Sequence, residues 1–551
     1  MVSGVPARPA DTASGPWDPL RQAGFRAMWL AILASNIGTW VNSVATAWVM
    51  AEKSGSALMV AAVQSAATLP LVLFALIAGA LADIVDRRRY LIAVQVWMVL
   101  IGGLLAVLAQ LGQLGPWPLL VLTFALGAGA AMGMPAQAAI IPDLVPRAQL
   151  AAAVSLNSVG MNIARSIGPA LGGLILARYS AALAFALNAS SFLVLIVVLW
   201  RWRGVRATST LPAESFAGAL RAGLRYASHA TVFQAVLYKA ASFFLFASAL
   251  TALLPLVVRD QVHAGPASFG VLLGFIGIGA IGGAFALPRL RAVLSRDQLV
   301  FAATLTCAAT TMAASAVDTI LLLCPLMLLN GLGWISVLSS LQVSAQTSVP
   351  GWVRARALSL YIMVFSLGMA LGSALWGAVA QRFGTPLALL CAGAAAILSA
   401  LWARRFRLGD AETLDLSPAS HWPQPSMGPE DAHDRGPVLV TVEYRVADAD
   451  RARFLALLER FGRIRRRDGA VQWGVMDDAE VDGVLLEYFF VPSWLEHLRQ
   501  HERITADDER LQAELVALHQ GAVAPVVRHF VGALAGASPP RVHALRNKEL
   551  S

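Results

Sequence analysis

A few polar residues interrupt a chain that is otherwise apolar, and their types limit the chemistry available. Asp83, Asp86, Arg87, Arg88 and Arg89 lie close together between two long apolar runs. Carboxylates and guanidinium groups at that spacing can form and break ion pairs, which is the chemistry of a latch; Gly79 lets the preceding helix approach a neighbour closely. Asn162 and Arg165 are three residues apart and share a helical face. An arginine inside an apolar run is costly unless it faces water or a partner. Lys239 is a second such cation, although its long stem allows snorkelling. Asn36, Trp40 and Ser43 form one face of the first run, and Asn330 and Trp334 one face of the tenth. Polar and aromatic faces of this kind suit a cavity for an amphipathic ligand, and interhelical hydrogen bonding is the competing role for each. With no obvious carboxylate mid-run, two cavity cations point to an anionic or catechol-like ligand. His497 and His501 are one helical turn apart, but the sequence offers no clear third ligand and no His-Glu-x-x-His pattern. A polar helical face or a dimer contact is the favoured reading of that pair. No catalytic residue, metal ion or cofactor is expected.

These residues need elements to hold them, and composition says which. The 551 residues are 57% hydrophobic and only 14% charged, with a mean hydropathy of +0.64. Soluble domains are nearer about 25% charged, so a bilayer is the expected solvent for most of the chain. A net charge of +9 would suggest nucleic acid in a soluble protein. Here the arginines flank apolar runs, which fits loops retained on the inner side of a membrane and excludes a nucleic-acid partner. Cys307, Cys324 and Cys391 all lie inside apolar runs, so no disulfide framework is expected.

Apolar runs long enough to span a bilayer lie near 26–50, 57–82, 90–112, 117–141, 153–177, 181–200, 231–258, 267–288, 298–317, 319–343, 357–380 and 385–402. Alternate loops are rich in arginine (Arg87–Arg89, Arg201, Arg289, Arg354, Arg404), whereas the opposite set holds little more than Lys53, Arg178, Arg259 and Arg382. That asymmetry places both termini in the cytoplasm. The halves are related by one constant offset. It carries Gly127 and Gly129 onto Gly331 and Gly333, Val145-Pro146 onto Val349-Pro350, Gly168 and Gly173 onto Gly372 and Gly377, and Arg178 onto Arg382. A duplicated unit of six helices follows.

The expected organisation is a tail at 1–22, a first half at 23–203, a linker at 204–230, a second half at 231–407, a linker at 408–436, a soluble domain at 437–535 and a tail at 536–551. In the middle linker Phe216, Leu220 and Leu224 repeat every four residues beside Arg221 and Arg225, predicting an amphipathic helix on the membrane surface. In the soluble domain, strands are predicted at 438–446, 471–476, 484–491 and 523–531, with helices at 449–466 and within 493–520. That βαββαβ order is ferredoxin-like, and modules of this kind often pair, so a dimer through this domain is plausible.

The segment Gly79-Ala-Leu-Ala-Asp83-x-x-Asp86-Arg87-Arg88 resembles the loop between helices two and three of major facilitator superfamily transporters. Ile84 and Asp86 stand where that family usually has a basic residue and a glycine. Gly168-Pro169-x-x-Gly172-Gly173 resembles the helix-five motif of proton-coupled antiporters in the same superfamily. With Asn162-x-x-Arg165 and the C-terminal domain, the chain is similar to the enterobactin-exporter-like branch (transmembrane secretion effectors). The resemblance implies an all-α membrane protein with the twelve-helix fold of two six-helix halves, plus the ferredoxin-like domain, in a bacterial inner membrane. It implies proton-driven efflux of a siderophore or lipophilic, drug-like small molecule by alternating access, with protons, lipid and the small molecule as partners. Two other readings stay open: an importer of the same fold, and a membrane-tethered, cofactor-free monooxygenase, since the C-terminal order also resembles antibiotic-biosynthesis monooxygenase-like modules.

Overall fold

The computed structural model describes residues 15, 17–140, 144–146, 149–202, 216–408, 415, 416, 435–521 and 523–532, apart from the side chains of several helical positions, among them Gly79 and Asp83. The expected tail at 536–551 falls outside these residues, as do 1–14 and 16 of the tail expected at 1–22, but Asp18–Arg21 of that tail form a short 3-10 helix with Pro19 buried.

Each apolar run forms one long helix. In the first half these are α1 (Ala23–Lys53), α2 (Ala57–Ile84), α3 (Arg87–Gln110), α4 (Pro116–Ile140), α5 (Leu150–Arg178) and α6 (Ala181–Arg201). A shorter α7 (Phe216–His229) precedes α8 (Thr231–Leu256), α9 (Pro266–Val293), α10 (Arg296–Ala314), α11 (Ile320–Thr347), α12 (Arg354–Phe383) and α13 (Thr385–Ala403). Helices are the outcome because hydrocarbon offers no hydrogen-bond partner for an open backbone. Among the described residues, ten of these helices are long and apolar enough to cross a membrane. Of the other three, α7 is too short, and α1 and α10 carry unusual polar content, including Asn36, Thr39, Asn42, Ser43 and Thr46 on α1 and Thr304, Thr306, Thr310 and Thr311 on α10. Several of these hydroxyls bond back to their own helix, as Thr304 does to the Val300 carbonyl at 2.7 Å.

Helix starts are chemically marked. Ser56, Asp86 and Ser180 accept from backbone N–H groups three residues on, and Ser295 with Gln298 forms a reciprocal capping box. Asp86, which departs from the family pattern, is therefore the N-cap of α3, bonded to the Arg89 N–H at 2.9 Å.

The chain divides into two compact units. One comprises residues 1–212, 237–342 and 361–407; the other comprises 213–236, 343–360 and 408–551. In the first, the sequence duplication becomes a repeated packing pattern. Gly168 on α5 meets Trp40 of α1, and its counterpart Gly372 on α12 meets Leu245 and Ser248 of α8. Gly173 meets Gly270 of α9, and its counterpart Gly377 meets Ala61 and Leu58 of α2. A Cβ added at Gly173 would lie 2.8 Å from the Gly270 Cα, and one at Gly377 would lie 2.5 Å from the Ala61 Cβ. Lipid tails are as apolar as leucine, so burial does not drive helices together there; close backbone packing does, and small residues permit it. The Ser65 hydroxyl adds a 2.7 Å bond to the Ala370 carbonyl across α2 and α12. Trp48 and Phe269, stacked 6.0 Å apart, belong to one apolar cluster drawn from both halves.

The second unit contains the predicted ferredoxin-like module. Its elements are β1 (Val438–Arg445), α14 (Asp448–Asp468), β2 (Gln472–Asp477), β3 (Val484–Val491), α15 (Trp494–Arg503), α16 (Ala506–Ala517) and β4 (Val526–Val531). The sheet is antiparallel in the order β2-β3-β1-β4. Val442 and Tyr444 of β1 point inward onto Phe454, Leu458 and Phe461 of α14, while Val438 and Val440 pack with Phe489 and Trp494. An ion pair is buried in this module: Arg465 donates to Glu487 at 3.2 Å, and Trp473 Nε1 donates to the same carboxylate at 2.9 Å. The second Glu487 oxygen accepts from the Tyr444 hydroxyl at 3.3 Å, so the buried carboxylate is fully served.

The helix expected at the membrane surface has a second role. Leu224 of α7 is 50% exposed, as a lipid-facing residue would be, but Tyr226 is buried and its hydroxyl donates to the Ser348 carbonyl at 3.1 Å. Arg225 pairs with Glu496 of α15 at 2.9 Å, and Arg503 pairs with the same carboxylate at 2.6 Å. The flank of the amphipathic helix that carries Arg225 is thus the face that meets the module.

The glycine crossings give a direct test. Gly173→Val should lower the thermal unfolding temperature of the detergent-solubilised protein, since overpacking costs about 1–3 kcal/mol. Gly103→Val, where an added side chain meets nothing within 4 Å, should leave it unchanged. Equal melting of both variants would remove the crossing as a stabilising contact.

Candidate functional site

The residues singled out by sequence separate into those that the structure partners and those that it does not. Arg88 is partnered. Its Nε donates to the Leu199 carbonyl at 2.8 Å and its Nη2 to the Trp200 carbonyl. It thus caps the C-terminal end of α6, where open carbonyls and the negative dipole end favour a cation. Arg87 is half-buried at the start of α3. The side chains of Gly79 and Asp83 lie outside the described residues, so the expected contact between Asp83 and the arginines does too.

The helix-five residues serve two faces of α5. Gly168 and Gly172 receive Trp40 and Val41 of α1, while Gly173 faces α9. Pro169 is buried within the helix. Arg165 lies one turn before Gly168 on the same helix, beside the α9 crossing; a Cβ on Gly277 of α9 would lie 3.1 Å from the Arg165 carbonyl. The Arg165 side chain is half-buried, and its Nε has no hydrogen-bond partner. Asn162 uses its amide on the Ser158 carbonyl at 3.0 Å. Asn36 and Trp40 lie on α1 near this crossing, where the Ile37 carbonyl and the Trp40 Cβ both approach Gly168. The fold therefore gathers Trp40, Arg165 and Gly168 where α1, α5 and α9 meet.

The other predicted positions lie elsewhere. Asn330 is buried and donates to the Thr310 hydroxyl of α10 at 2.9 Å. Trp334 packs on Phe243 and Phe244 of α8 at 5.7 and 5.6 Å between ring centres. Lys239 is buried and ion-paired with Asp297, in the first turn of α10. The pair lines a cavity of about 360 Å³ between α8, α10 and α13, which also holds Arg404 and Arg407. The sequence reading counted two cations without a carboxylate; the fold supplies one for Lys239. It was hidden because Asp297 sits at a helix start and reads as a loop charge.

A second cavity, of about 180 Å³, went unnoticed in the sequence. Thr39, Asn42, Ser43 and Thr46 of α1 face Gln64 of α2, Thr123 of α4, Asn188 of α6 and Thr251 of α8 across it. The Asn42 and Asn188 amide oxygens and the Thr46 hydroxyl are buried without a hydrogen-bond partner. Only Ser43 of this set was anticipated, as part of the Asn36 face. The available signal was the four-residue spacing of Asn42 and Thr46, and the lone asparagine in the apolar α6.

His497 and His501 also gain what the sequence did not offer. His529 of β4 joins them, with one ligand nitrogen from each ring within 4.8 Å of the others.

Partnered polar residues should behave as structural pairs. In a double-mutant cycle, Asn330→Ala and Thr310→Val should each destabilise the solubilised protein and should be non-additive by about 0.6 kcal/mol, the usual worth of an interhelical hydrogen bond. Strict additivity would show that the bond contributes nothing.

Comparison with known proteins agrees with this architecture. A family model described as transmembrane secretion effector matches residues 14–536. The chain is 30% identical to the staphyloferrin A transporter of Staphylococcus aureus over 163 residues, covering 29% of this chain and 41% of that protein. It is 26% identical to the multidrug efflux pump Tap of Mycolicibacterium fortuitum over 364 residues, covering 64% of this chain and 88% of that protein. The match thus spans about two fifths of the first relative and most of the second. Among solved structures, a bacterial homologue of the human lysosomal transporter Spinster superposes with a TM-score of 0.55 at 15% identity, covering 72% of this chain and 98% of that one. Such low identity establishes the fold alone. With a family match running through both helical halves and the C-terminal module, the chain belongs to the transmembrane secretion effector family of the major facilitator superfamily.

Proposed function

We propose that this protein is a secondary transporter of a bacterial inner membrane, exporting a siderophore or a lipophilic, drug-like small molecule by proton-driven alternating access. Relatives named as an efflux pump and a siderophore transporter support the substrate class. The observation that carries the reading is Arg165: a guanidinium inside a helix that crosses the bilayer, with its Nε unsatisfied, beside the contact between the two halves. Keeping such a group costs stability, and the cost is offset if an anionic or catechol-like group of the cargo binds it. The polar cavity between α1, α2, α4, α6 and α8 supplies further hydrogen-bonding groups for a mixed polar and apolar molecule. At about 180 Å³ it is smaller than a typical drug-sized site of roughly 300–1,000 Å³, so it serves as one part of a pathway that widens in another transport state.

The arginine-rich loops orient the bundle with both termini and the C-terminal module in the cytoplasm. Asp83, at the end of α2, is the candidate gate whose ion pairs hold one state and break in the other.

Inverted membrane vesicles energised with a proton gradient test the direction. An iron-free catecholate siderophore or ethidium should accumulate, and the accumulation should collapse with a protonophore. Absence of accumulation in vesicles together with uptake by intact cells would establish import instead. Arg165→Gln should lower the transport rate of the siderophore at least tenfold at unchanged membrane abundance, and an unaffected rate would remove Arg165 from the pathway. Asp83→Asn should insert normally but transport slowly; a wild-type rate in that variant would discard the gate.

A further inference from the structure

The Nε2 atoms of His497 and His501, one turn apart on α15, are 3.2 Å from each other. The His497 ring centre lies 4.7 Å from that of His501 and 4.8 Å from that of His529 on β4. Trp494 closes one side, 5.3 Å from His497 and 5.8 Å from His529. His497 is fully buried, while His501 and His529 are partly exposed and leave a route inward. Three imidazoles in one cluster are a poor choice for apolar packing, because each brings polar ring atoms that a phenyl ring would not. The Nδ1 of the buried His497 has no hydrogen-bond partner.

We propose that His497, His501 and His529 bind one divalent transition-metal ion that favours imidazole, such as zinc, leaving a fourth coordination position open to water or an anion. The geometry fits. Two nitrogens held tetrahedrally at about 2.0–2.1 Å from zinc lie about 3.3 Å apart, close to the separation of the His497 and His501 Nε2 atoms. His529 comes from β4, an edge strand of the sheet, so its partly exposed ring has room to close on the pair. A metal-bound histidine presents its other ring nitrogen as a donor to a second group. For His497 the acceptor at hand is Gln500, three residues on along α15. Its Oε1 lacks a hydrogen-bond partner, while its amide nitrogen is directed to the Arg465 carbonyl at 3.4 Å.

The electrostatics are compatible with a cation. Burial, then the other histidines and Arg465, push the His497 pKa down to about 3. Burial, then Arg465 and His529, push that of His501 down to about 4. Both rings are therefore neutral near pH 7, the form that binds metal. Arg465 is the cation whose field reaches the rings, and its charge is offset by Glu487.

The ion links α15 to β4. α15 is also the helix whose Glu496, next to His497, holds Arg225 of α7 and Arg503. The site therefore braces the element through which the module grips the helix between the two halves. It is independent of the cargo and of the direction of transport.

The test uses full-length protein without a histidine tag, solubilised in detergent and stripped with a chelator. With zinc as the only added metal, the wild type should retain one zinc per chain after gel filtration. Cobalt substitution should give the intense visible absorption of four-coordinate cobalt. His529→Gln and His501→Gln should each weaken zinc binding at least tenfold, and zinc should raise the melting temperature of the wild type but not of these variants. His529→Gln changes a partly exposed edge-strand residue, so its metal-free melting should match the wild type and keep the comparison valid. Retention of less than a tenth of a zinc per chain by the wild type would overturn the proposal. So would zinc affinity that is unchanged in His529→Gln and His501→Gln.

Discussion

The bundle depends on how closely two helices can approach when lipid gives them no hydrophobic reason to do so. Glycine and alanine answer this at equivalent places in the two halves. Gly168 and Gly372 let α5 and α12 sit on α1 and α8, the first helix of each half. Gly173 and Gly377 let the same two helices reach across to α9 and α2. Each of these glycines therefore either assembles a half or joins it to the other. Contacts made of backbone and small side chains are dense, yet few torsions or ion pairs must change when they slide.

Polar residues within the bundle sort by whether a neighbour serves them. Asn330 has Thr310, Lys239 has Asp297, and Arg88 has the carbonyl end of α6. Those three account for themselves as packing devices. Arg165 Nε, Asn42 Oδ1, Asn188 Oδ1 and Thr46 Oγ1 have no partner. An unsatisfied buried polar group costs about 1–3 kcal/mol, more when charged, so retaining several is expensive for packing alone. Three of them line one cavity between α1, α2, α4, α6 and α8, and Arg165 lies at the crossing of α5 and α9.

In the C-terminal module, α15 carries polar contacts on two sides. Glu496 points to Arg225 and Arg503, and the adjacent His497 points into the sheet side with His529. Consecutive residues on a helix differ by about 100° in direction, so one short helix can serve two surfaces. The second compact unit also takes in the start of α8 and the turn between α11 and α12, which continue into bilayer-crossing helices. Changes in the module therefore have a covalent route to the transport helices.

The helices were legible in the sequence because a bilayer permits little else for a long apolar run, and each ends at a charge, a proline or a serine cap. The duplication was legible because glycine cannot be replaced where backbones touch, so Gly168, Gly173, Gly372 and Gly377 kept their spacing. The alternation of Val438–Arg445 and the order of the module followed from periodicity in the same way. Pairings were not legible, since a helix pattern fixes which face a residue occupies and not what faces it. That Asp297 neutralises Lys239, that Arg88 turns to α6, and that Asn188 and Asn42 line one cavity were decided by how the helices pack. His529 shows the limit most clearly. It is separated from His497 by α16 and a loop, and only the antiparallel pairing of β4 with β1, which sets His529 opposite Val440, brings the third imidazole to the other two.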